Sequence, residues 1–307
     1  MSVPYLLPVL EEFQPLFDKN NIELTVTRNP ELLTEAELLK LMPDIDGVIC
    51  VDDHFTAKVL EASPKLKVIS KWGTGIDSID LKTAQRLGIV VRNTLDAFTS
   101  GVGDTTLGYI LMFARQLIPL DKDMKEGVWK KREAVALHEC TVGVIGVGNT
   151  GRATLRRAGA FGARLLGNDT APISQEFINE TGMKIATKEE ILRESDFVCL
   201  HCTLNPTSAK MIGEKELAMM KSTAYLINTA RGPLVQEDAL VKALESKTIA
   251  GAALDVFEIE PLPKESKLRK FDNVFLAPHN ANSSLAARDK VNKLTVGYCL
   301  EELAKRA

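Results

Sequence analysis

The sequence predicts an α/β protein with two lobes, each built around a parallel sheet. The 307 residues exceed the usual size of one domain, which is about 100–200 residues. Short apolar segments rich in branched residues alternate with helical patterns, as expected when helices connect buried parallel strands. Two turn-rich segments, residues 93–103 and 279–284, divide the chain. Two lobes connected twice in this way leave a cleft between them, which is a favoured place for a ligand.

The first lobe is expected to span residues 1–97. Its strands are predicted at residues 22–26, 47–51, 66–69 and 89–91. A helix is predicted to begin at Thr34, because Glu37 follows three residues later with the spacing of a capping box.

The second lobe is expected to span residues 98–280. A long helix is predicted over 104–120, and the strands follow at residues 142–145, 164–167, 197–200, 224–227, 249–254 and 274–276. The last segment, residues 285–306, has the pattern of one long amphipathic helix, which fits against either lobe.

The composition is that of a folded globular protein with little net charge. Hydrophobic residues make up 45% and charged residues 26%, which excludes a disordered or fibrous chain. Lys and Arg total 38 against 41 Asp and Glu, so no basic excess is available for nucleic-acid phosphates. The strongly apolar stretch at residues 107–114 is far shorter than the roughly 20 residues that cross a bilayer. We therefore expect neither a nucleic acid nor a membrane as partner.

The five cysteines do not form the pattern of a disulfide framework, because their number is odd and they are scattered. Cys199 and Cys202 form a C-x-x-C, but a zinc site would need a second such pair. We predict two reduced thiols at the end of a buried strand, no metal, and a reducing, cytoplasmic location.

A glycine loop follows the strand predicted at 142–145 and precedes a helix-forming stretch at 152–161. In its G-x-G-x-x-G, Gly146 permits the tight turn, Gly148 lets a pyrophosphate approach the backbone, and Gly151 allows helix and strand to pack closely. The helix N-terminus adds free N–H groups and partial positive charge. The predicted cofactor-binding residues of this loop are Gly146, Gly148, Asn149, Thr150 and Gly151.

An acidic residue, Asp169, lies at the end of the next strand, 18 residues beyond Gly151. A carboxylate at this place accepts hydrogen bonds from the adenosine ribose and repels a 2′-phosphate. The pattern therefore favours NAD over NADP. The alternative interpretation of the glycine loop is an ordinary turn between a strand and a helix, without a cofactor.

Three polar residues, Arg231, Glu260 and His279, each follow a predicted strand late in the chain. Ligands of parallel sheets gather at the carboxyl ends of strands, so all three are expected at one crevice. A guanidinium can hold a carboxylate with two hydrogen bonds, and a His–Glu pair is suited to acid–base catalysis. Taken singly, they are equally compatible with a surface ion pair, a solvated turn and a helix cap.

These residues, in this order, resemble the D-isomer-specific 2-hydroxyacid dehydrogenases, which include phosphoglycerate, glycerate and D-lactate dehydrogenases. The resemblance covers nearly the whole chain, including the glycine loop with Asp169 and the segments 226–232, 251–257, 260–262 and 278–279. It implies two doubly wound domains: a Rossmann-type NAD-binding domain over 99–281, and a discontinuous, flavodoxin-like substrate domain from 1–98 and 282–307.

The resemblance also implies the chemistry, which is hydride transfer between NAD and a small D-2-hydroxy acid or its 2-oxo form. Arg231, Glu260 and His279 become the expected catalytic residues, and Arg231 also binds the substrate. Members are commonly homodimers joined through the cofactor domain, with the helix predicted at 104–120 in the contact. The remaining implied site residues are Thr229, Ala230 and Asp255 at the nicotinamide, and Trp72, Gly73, Thr74 and Gly75 at the substrate carboxylate.

The substrate itself is less well specified. Val51-Asp52-Asp53-His54 stands where phosphoglycerate enzymes often carry an Arg-Ser pair, and two carboxylates there would repel a phosphate. Lys71, beside the carboxylate loop, would offset part of this repulsion. We expect an unphosphorylated acid. The alternatives are a phosphoglycerate dehydrogenase and an NAD-sensing binding protein that resembles a corepressor.

Overall fold

The computed structural model describes residues 1–27 and 32–305, and the chain divides into two compact units. Unit 1 comprises Met1–Phe98 and Ser283–Ala307, and unit 2 comprises Thr99–Asn282. Each contains helices and a sheet whose strands all run parallel, so the predicted α/β class is confirmed. In the part of the chain that the structure describes, every helix is too short or too polar to span a membrane.

The sheet of unit 1 has three strands, β1 (Gly47–Cys50), β2 (Val68–Lys71) and β3 (Val90–Asn93), paired in that order. Thr34 and Glu37 form the predicted capping box at the start of a helix. The helices before residue 98 are α1 (Leu10–Lys19), α2 (Glu35–Leu41), α3 (Ala57–Glu61) and α4 (Leu81–Arg86).

The strand predicted at residues 22–26 is wrong, because this segment is extended but forms no ladder. It is held at single positions instead: the Met1 ammonium donates to Thr25 O at 2.7 Å. The N-terminal segment in turn meets the sheet at one bridge, between Ser2 and Cys50. Pro4, two residues after Ser2, has no backbone N–H and so cannot extend that pairing.

Unit 2 contains a seven-stranded parallel sheet. Its strands are β4 (Thr141–Ile145), β5 (Arg164–Asn168), β6 (Lys184–Ile185), β7 (Phe197–Leu200), β8 (Tyr225–Asn228), β9 (Gly251–Leu254) and β10 (Val274–Leu276). They lie in the order β10-β9-β8-β7-β4-β5-β6, so the strand order reverses beside β4. Ligands of such sheets bind outside the carboxyl ends of the strands at this reversal.

Seven α-helices belong to unit 2, and the single helix predicted at 104–120 corresponds to two of them. The chain breaks at Gln116, whose φ of 53° is left-handed, between α5 and α6. Pro119 explains the break, because in a continuous helix its ring would clash with the carbonyl of residue 115. The helices are α5 (Thr99–Ala114), α6 (Leu117–Lys125), α7 (Asn149–Ala160), α8 (Gln175–Thr181), α9 (Lys188–Glu194), α10 (Glu214–Met219) and α11 (Glu237–Glu245).

The last helix, α12 (Leu285–Ala304), packs against all three strands of unit 1. The Ser70 hydroxyl on β2 donates to Thr295 O at 2.7 Å, and the Trp72 indole donates to Asn292 Oδ1 at 2.7 Å. These buried bonds join the end of the chain to the sheet. Arg306, the predicted end of the helix, lies outside the described residues.

A buried histidine joins strand β7 to helix α7. His201 follows β7, and its Nε2 lies 3.0 Å from the Thr154 hydroxyl on α7. Among the described residues, its Nδ1 has no hydrogen-bond partner. Burial disfavours the charged imidazolium and lowers the pKa of His201 to about 4.

This low pKa predicts a pH-dependent loss of stability. Below pH 6.5 the histidine of the unfolded chain binds a proton, whereas the folded form does so only near pH 4. The free energy of unfolding should therefore fall by roughly 3 kcal/mol over that range through this residue. Urea unfolding at several pH values should show a smaller fall for His201→Gln. The exposed His138→Gln is the matched control, and an equal fall in both variants would contradict the assignment.

Candidate active site

The glycine loop connects β4 to α7, and its glycines are required by close contacts. Gly146 has a φ of +96°, and a Cβ there would lie 2.4 Å from Cys202 N. A Cβ on Gly151 would lie 2.0 Å from Gly146 O. At Gly148, by contrast, no atom of the described residues other than Gly148 and its two chain neighbours lies within 4 Å of a Cβ position. The turn is therefore packed on two sides and open at the glycine predicted to meet a pyrophosphate.

The same loop presents the N-terminus of α7. The helix begins at Asn149, and its N-cap is Gly148, which has no side chain to occupy the first-turn N–H groups. Asn149 is exposed and Thr150 is half-buried at this end. An N-terminus of this kind is suited to an anionic ligand.

Asp169 is held beside the glycine loop by two backbone hydrogen bonds. Its Oδ2 accepts from Val147 N at 2.6 Å, and its Oδ1 accepts from Ala171 N at 2.8 Å. Because β4 and β5 are adjacent, the carboxylate lies at the same sheet edge as the loop. The structure thus brings together the phosphate-binding and ribose-binding elements that the sequence predicted.

Glu260 and His279 form a direct pair. His279 Nδ1 lies 2.8 Å from Glu260 Oε2, and the other carboxylate oxygen accepts from Phe257 N at 2.9 Å. About a third of each side chain is exposed. The backbone of His279 is left-handed, with a φ of 50°, a conformation that costs about 1–3 kcal/mol outside glycine.

Arg231 is held in a loop that packs against the segment leading to Glu260. The Asn228 side chain at the end of β8 donates to Arg231 O at 2.9 Å. A Cβ on Gly232 would lie 1.8 Å from Phe257 O, so the two backbones touch. The three predicted catalytic residues follow three adjacent strands: Arg231 follows β8, Glu260 follows β9 and His279 follows β10.

Asp255 holds the loop that carries His279. Its side chain is 1% exposed and accepts from Asn280 N at 2.8 Å and from Ala281 N at 2.9 Å. Its own carbonyl accepts from His279 N at 2.7 Å. Burial raises the pKa of Asp255, while the two N–H groups act against this rise. The residue predicted at the nicotinamide thus also determines the path of the chain through His279.

The predicted carboxylate loop lies in unit 1. Trp72 N donates to Cys50 O at 2.8 Å, and Gly73 N donates to Thr94 Oγ1 at 3.2 Å. The Thr74 hydroxyl donates to Thr94 O at 3.1 Å. The N–H groups of Trp72 and Gly73 are therefore engaged within the unit, and substrate binding by Trp72, Gly73, Thr74 and Gly75 stays a prediction.

The charged residues beside this loop are arranged differently from the expectation. Asp53 is 1% exposed and accepts hydrogen bonds from Leu33 N and the Ser2 hydroxyl. Lys71 is 2% exposed, and its ammonium lies 2.8 Å from Asp52 Oδ1. Asp53 therefore serves the fold of unit 1, and Asp52 neutralises Lys71.

All five cysteines are unpaired in the structure, and Cys199 lies on the buried strand β7, as predicted. Cys199 is fully buried, and Cys202 Sγ lies 3.6 Å from Met211 Sδ. Within residues 1–27 and 32–305, no group of three or more His, Cys, Asp or Glu side chains is placed to hold a metal ion.

Sequence reasoning missed two residues that support the site. Asn228 was detectable as a polar residue that ends a buried strand. Thr106 lies inside the apolar helix α5, and its hydroxyl is 3.1 Å from that of Thr229. No local pattern distinguishes such a threonine from a residue that merely fills the core.

Comparison with known proteins identifies similar chains. Residues 107–281 match the family described as D-isomer specific 2-hydroxyacid dehydrogenase, NAD binding domain. A glyoxylate reductase of Thermofilum pendens is 41% identical over 85% of this chain and 79% of its own. A D-3-phosphoglycerate dehydrogenase of Synechocystis is 37% identical over 84% of this chain and 47% of its own. A D-lactate dehydrogenase of Aquifex aeolicus, solved with NAD and lactic acid, has a TM-score of 0.83 and 26% identity over 96% of both chains.

The position of Asp169 predicts the choice of cofactor. Asp169→Ala should weaken NADH binding and reduce the ratio of the affinities for NADH and NADPH. The ribose hydroxyls lose a hydrogen-bond acceptor, and the 2′-phosphate of NADPH is no longer repelled by a carboxylate. Dissociation constants from fluorescence titration would measure both effects. The control is Asp272→Ala. Asp272 is exposed and precedes β10, so it lies at the amino ends of the strands, opposite the glycine loop. Equal affinity of the unmodified protein for both cofactors would refute the prediction.

Proposed function

We propose that this chain, which belongs to the D-isomer-specific 2-hydroxyacid dehydrogenase family, reduces small unphosphorylated 2-oxo acids, with glyoxylate as the preferred class member. The chain is an NAD-dependent oxidoreductase that transfers a hydride between NAD(H) and a small 2-hydroxy or 2-oxo acid.

The residues of unit 2 fit the cofactor. The open position at Gly148 and the N-terminus of α7 suit the pyrophosphate, and Asp169 suits the ribose. Thr229, Ala230 and Asp255, at the ends of β8 and β9, would hold the nicotinamide. When bound there, NADH supplies the hydride.

His279 and Arg231 supply the remaining chemistry for reduction. Arg231 holds the substrate carboxylate and polarises the carbonyl through its guanidinium. Because Glu260 engages Nδ1 of His279, the proton given to the carbonyl oxygen comes from Nε2. The Glu260 carboxylate orients the ring and stabilises the positive charge of the imidazolium that donates the proton.

The observation that supports an unphosphorylated substrate is the ion pair between Lys71 and Asp52, whose charged atoms are 2.8 Å apart. Lys71 is the cation next to the predicted carboxylate loop, but its charge is already balanced by Asp52. A substrate phosphate would need further positive charge to offset its desolvation. The 41% identical relative named glyoxylate reductase supports the same class.

A panel of 2-oxo acids tests this proposal. With NADH, kcat/KM for glyoxylate or hydroxypyruvate should exceed that for 3-phosphohydroxypyruvate by about tenfold or more, the effect of roughly 1.4 kcal/mol. Asp52→Asn should reduce this difference in kcat/KM, because the positive charge of Lys71 is then no longer balanced by a carboxylate and can attract the phosphate. Preferred use of the phosphorylated acid would favour a phosphoglycerate dehydrogenase. NADH binding without turnover of any acid would favour a corepressor-like binding protein.

Substitution of His279 tests the acid. His279→Ala should lower kcat by about 10²–10⁴-fold while NADH still binds, because proton donation acts in the transition state. Glu260→Gln should also lower kcat for reduction, because a neutral amide no longer stabilises the imidazolium. The exposed His138→Ala is the control. Near-normal kcat in a folded His279→Ala enzyme would refute this mechanism.

Substitution of Arg231 should have a different signature. Arg231→Ala should raise KM by about 10–100-fold and also lower kcat, because a charged hydrogen bond is lost in both the ground and transition states. The control is Arg164→Ala, because Arg164 is the first residue of β5 and lies at the amino ends of the strands, away from the site. An effect on kcat alone would argue against a carboxylate clamp.

We also propose a homodimer joined through unit 2. The described side chains of α6 include no buried residue, and Leu117 and Met124 on it are about half exposed. Trp129, just beyond α6, is 86% exposed. Exposed large apolar side chains that lie this close together in the sequence suit an interface. The helices α5 and α6 overlap the segment that the family resemblance implies at the dimer contact.

Light scattering after size exclusion would measure the assembly. The unmodified chain should have twice its 33.7 kDa mass, and Trp129→Glu should shift the population toward the monomer. The matched control is Phe161→Glu, another exposed aromatic of unit 2 outside this surface. A monomeric unmodified protein would refute the dimer.

We propose a cytoplasmic location, because the five unpaired thiols suit a reducing compartment. Fractionation of the native host, with detection by antibody, would test this location. Recovery of the protein in an oxidising compartment would contradict it.

A further inference from the structure

A buried threonine pair joins helix α5 to the loop after β8. Thr106 is fully buried, and its Oγ1 lies 2.8 Å from Val102 O and 3.1 Å from Thr229 Oγ1. Thr229 is 9% exposed and immediately precedes Ala230 and Arg231. The pair therefore lies directly behind the loop that carries the proposed carboxylate clamp.

The direction of the bond between the two hydroxyls follows from counting protons. A carbonyl oxygen can only accept, so the single hydroxyl proton of Thr106 is given to Val102 O. The bond between the threonines therefore needs the proton of Thr229. With its own proton directed at Thr106, Thr229 Oγ1 can offer only lone pairs to any further partner.

A second acceptor lies next to Thr229. Asp255 follows β9 as Thr229 follows β8, and the two strands pair in register at Asn228 and Leu254. The Asp255 carboxylate is oriented by the N–H groups of Asn280 and Ala281. The ends of these two strands thus present a carboxylate and a hydroxyl that both act as acceptors. A primary amide, which carries two N–H donors, is the complementary group.

We propose that Thr106 is a positioning residue that makes Thr229 an obligate hydrogen-bond acceptor and thereby selects the carboxamide NH₂ of the cofactor. This inference rests on the proposed placement of the nicotinamide at Thr229 and Asp255. It gives a role to a hydroxyl that is buried on α5 close to Val102 and Ile110. Without Thr106, the Thr229 proton would turn to other acceptors, and the discrimination in favour of an amide would fall.

Binding of two cofactors in the absence of substrate tests the proposal. One is NAD⁺, and the other is its 3-acetylpyridine analogue, in which a methyl ketone replaces the carboxamide. Calorimetry should show that Thr106→Val weakens NAD⁺ binding by roughly 3- to 10-fold, the effect of one hydrogen bond. Binding of the analogue, which has no N–H to donate, should change less than about twofold. Thr106→Ser keeps the hydroxyl and should restore the preference for NAD⁺.

Thr105→Val is the matched control, because the neighbouring Thr105 hydroxyl also joins α5 to a site loop, at Ala281 O, 3.2 Å away. It should affect both cofactors alike. A double variant, Thr106→Val with Thr229→Val, leaves no unpaired hydroxyl and should show the same cofactor ratio as Thr229→Val alone. This variant keeps the test available if Thr106→Val folds poorly.

Equal weakening of both cofactors by Thr106→Val would overturn the proposal and leave Thr106 with a packing role. An unchanged ratio in all variants would show that Thr229 does not meet the carboxamide. Either result leaves the proposed function intact as long as the unmodified protein binds NAD⁺ and reduces an oxo acid. Failure of the unmodified protein to bind either cofactor would instead refute the proposed function.

Discussion

The parallel register of β8, β9 and β10 is the constraint on which the candidate site depends. Asn228 lies opposite Leu254, and Leu254 lies opposite Leu276, so the chain leaves all three strands at one edge. Residues 229–231, 255–260 and 277–281 therefore begin side by side, although they are distant in sequence. For β8 and β9 this register is enforced by burial on both faces, because a shift of one residue would move each side chain to the opposite face of the sheet, where it would no longer fit its neighbours.

Beyond the strands, the loops have no ladder to hold them, and two polar side chains take over that role. Asn228 bonds the backbone of Arg231 and Ala230, and Asp255 bonds that of Asn280 and Ala281. A buried carboxylate without such partners would cost several kcal/mol. The same bonds sustain the left-handed backbone of His279, whose strain is compatible only with a surrounding structure that over-determines it.

Charged side chains in this protein divide between folding and chemistry in ways that their types do not reveal. Asp53 fastens backbone and hydroxyl groups inside unit 1, and Lys71 is buried against Asp52. Asp169 is oriented by N–H groups of the glycine loop and of the turn that follows, and it is also the residue predicted to bind the cofactor ribose. The deciding quantity is which hydrogen-bond donors reach each carboxylate.

Local patterns determined the fold class, most strands, the capping box at Thr34 and the glycine loop, because hydrophobic periodicity and turn chemistry act over a few residues. They also led to the Arg231, Glu260 and His279 prediction, through strand ends and a whole-chain resemblance. Pro119 indicates a break near Gln116, but the apolar pattern of the segment favours one long helix and led to the wrong prediction.

Only the tertiary structure decided which lone pairs and protons are already in use. It placed Thr106 behind Thr229, turned Asp53 inward and paired Lys71 with Asp52. These contacts join residues 19 to 123 positions apart, so no local pattern contains them. Hydrogen-bond capacity is finite at each atom, and its distribution is settled only when distant segments pack together.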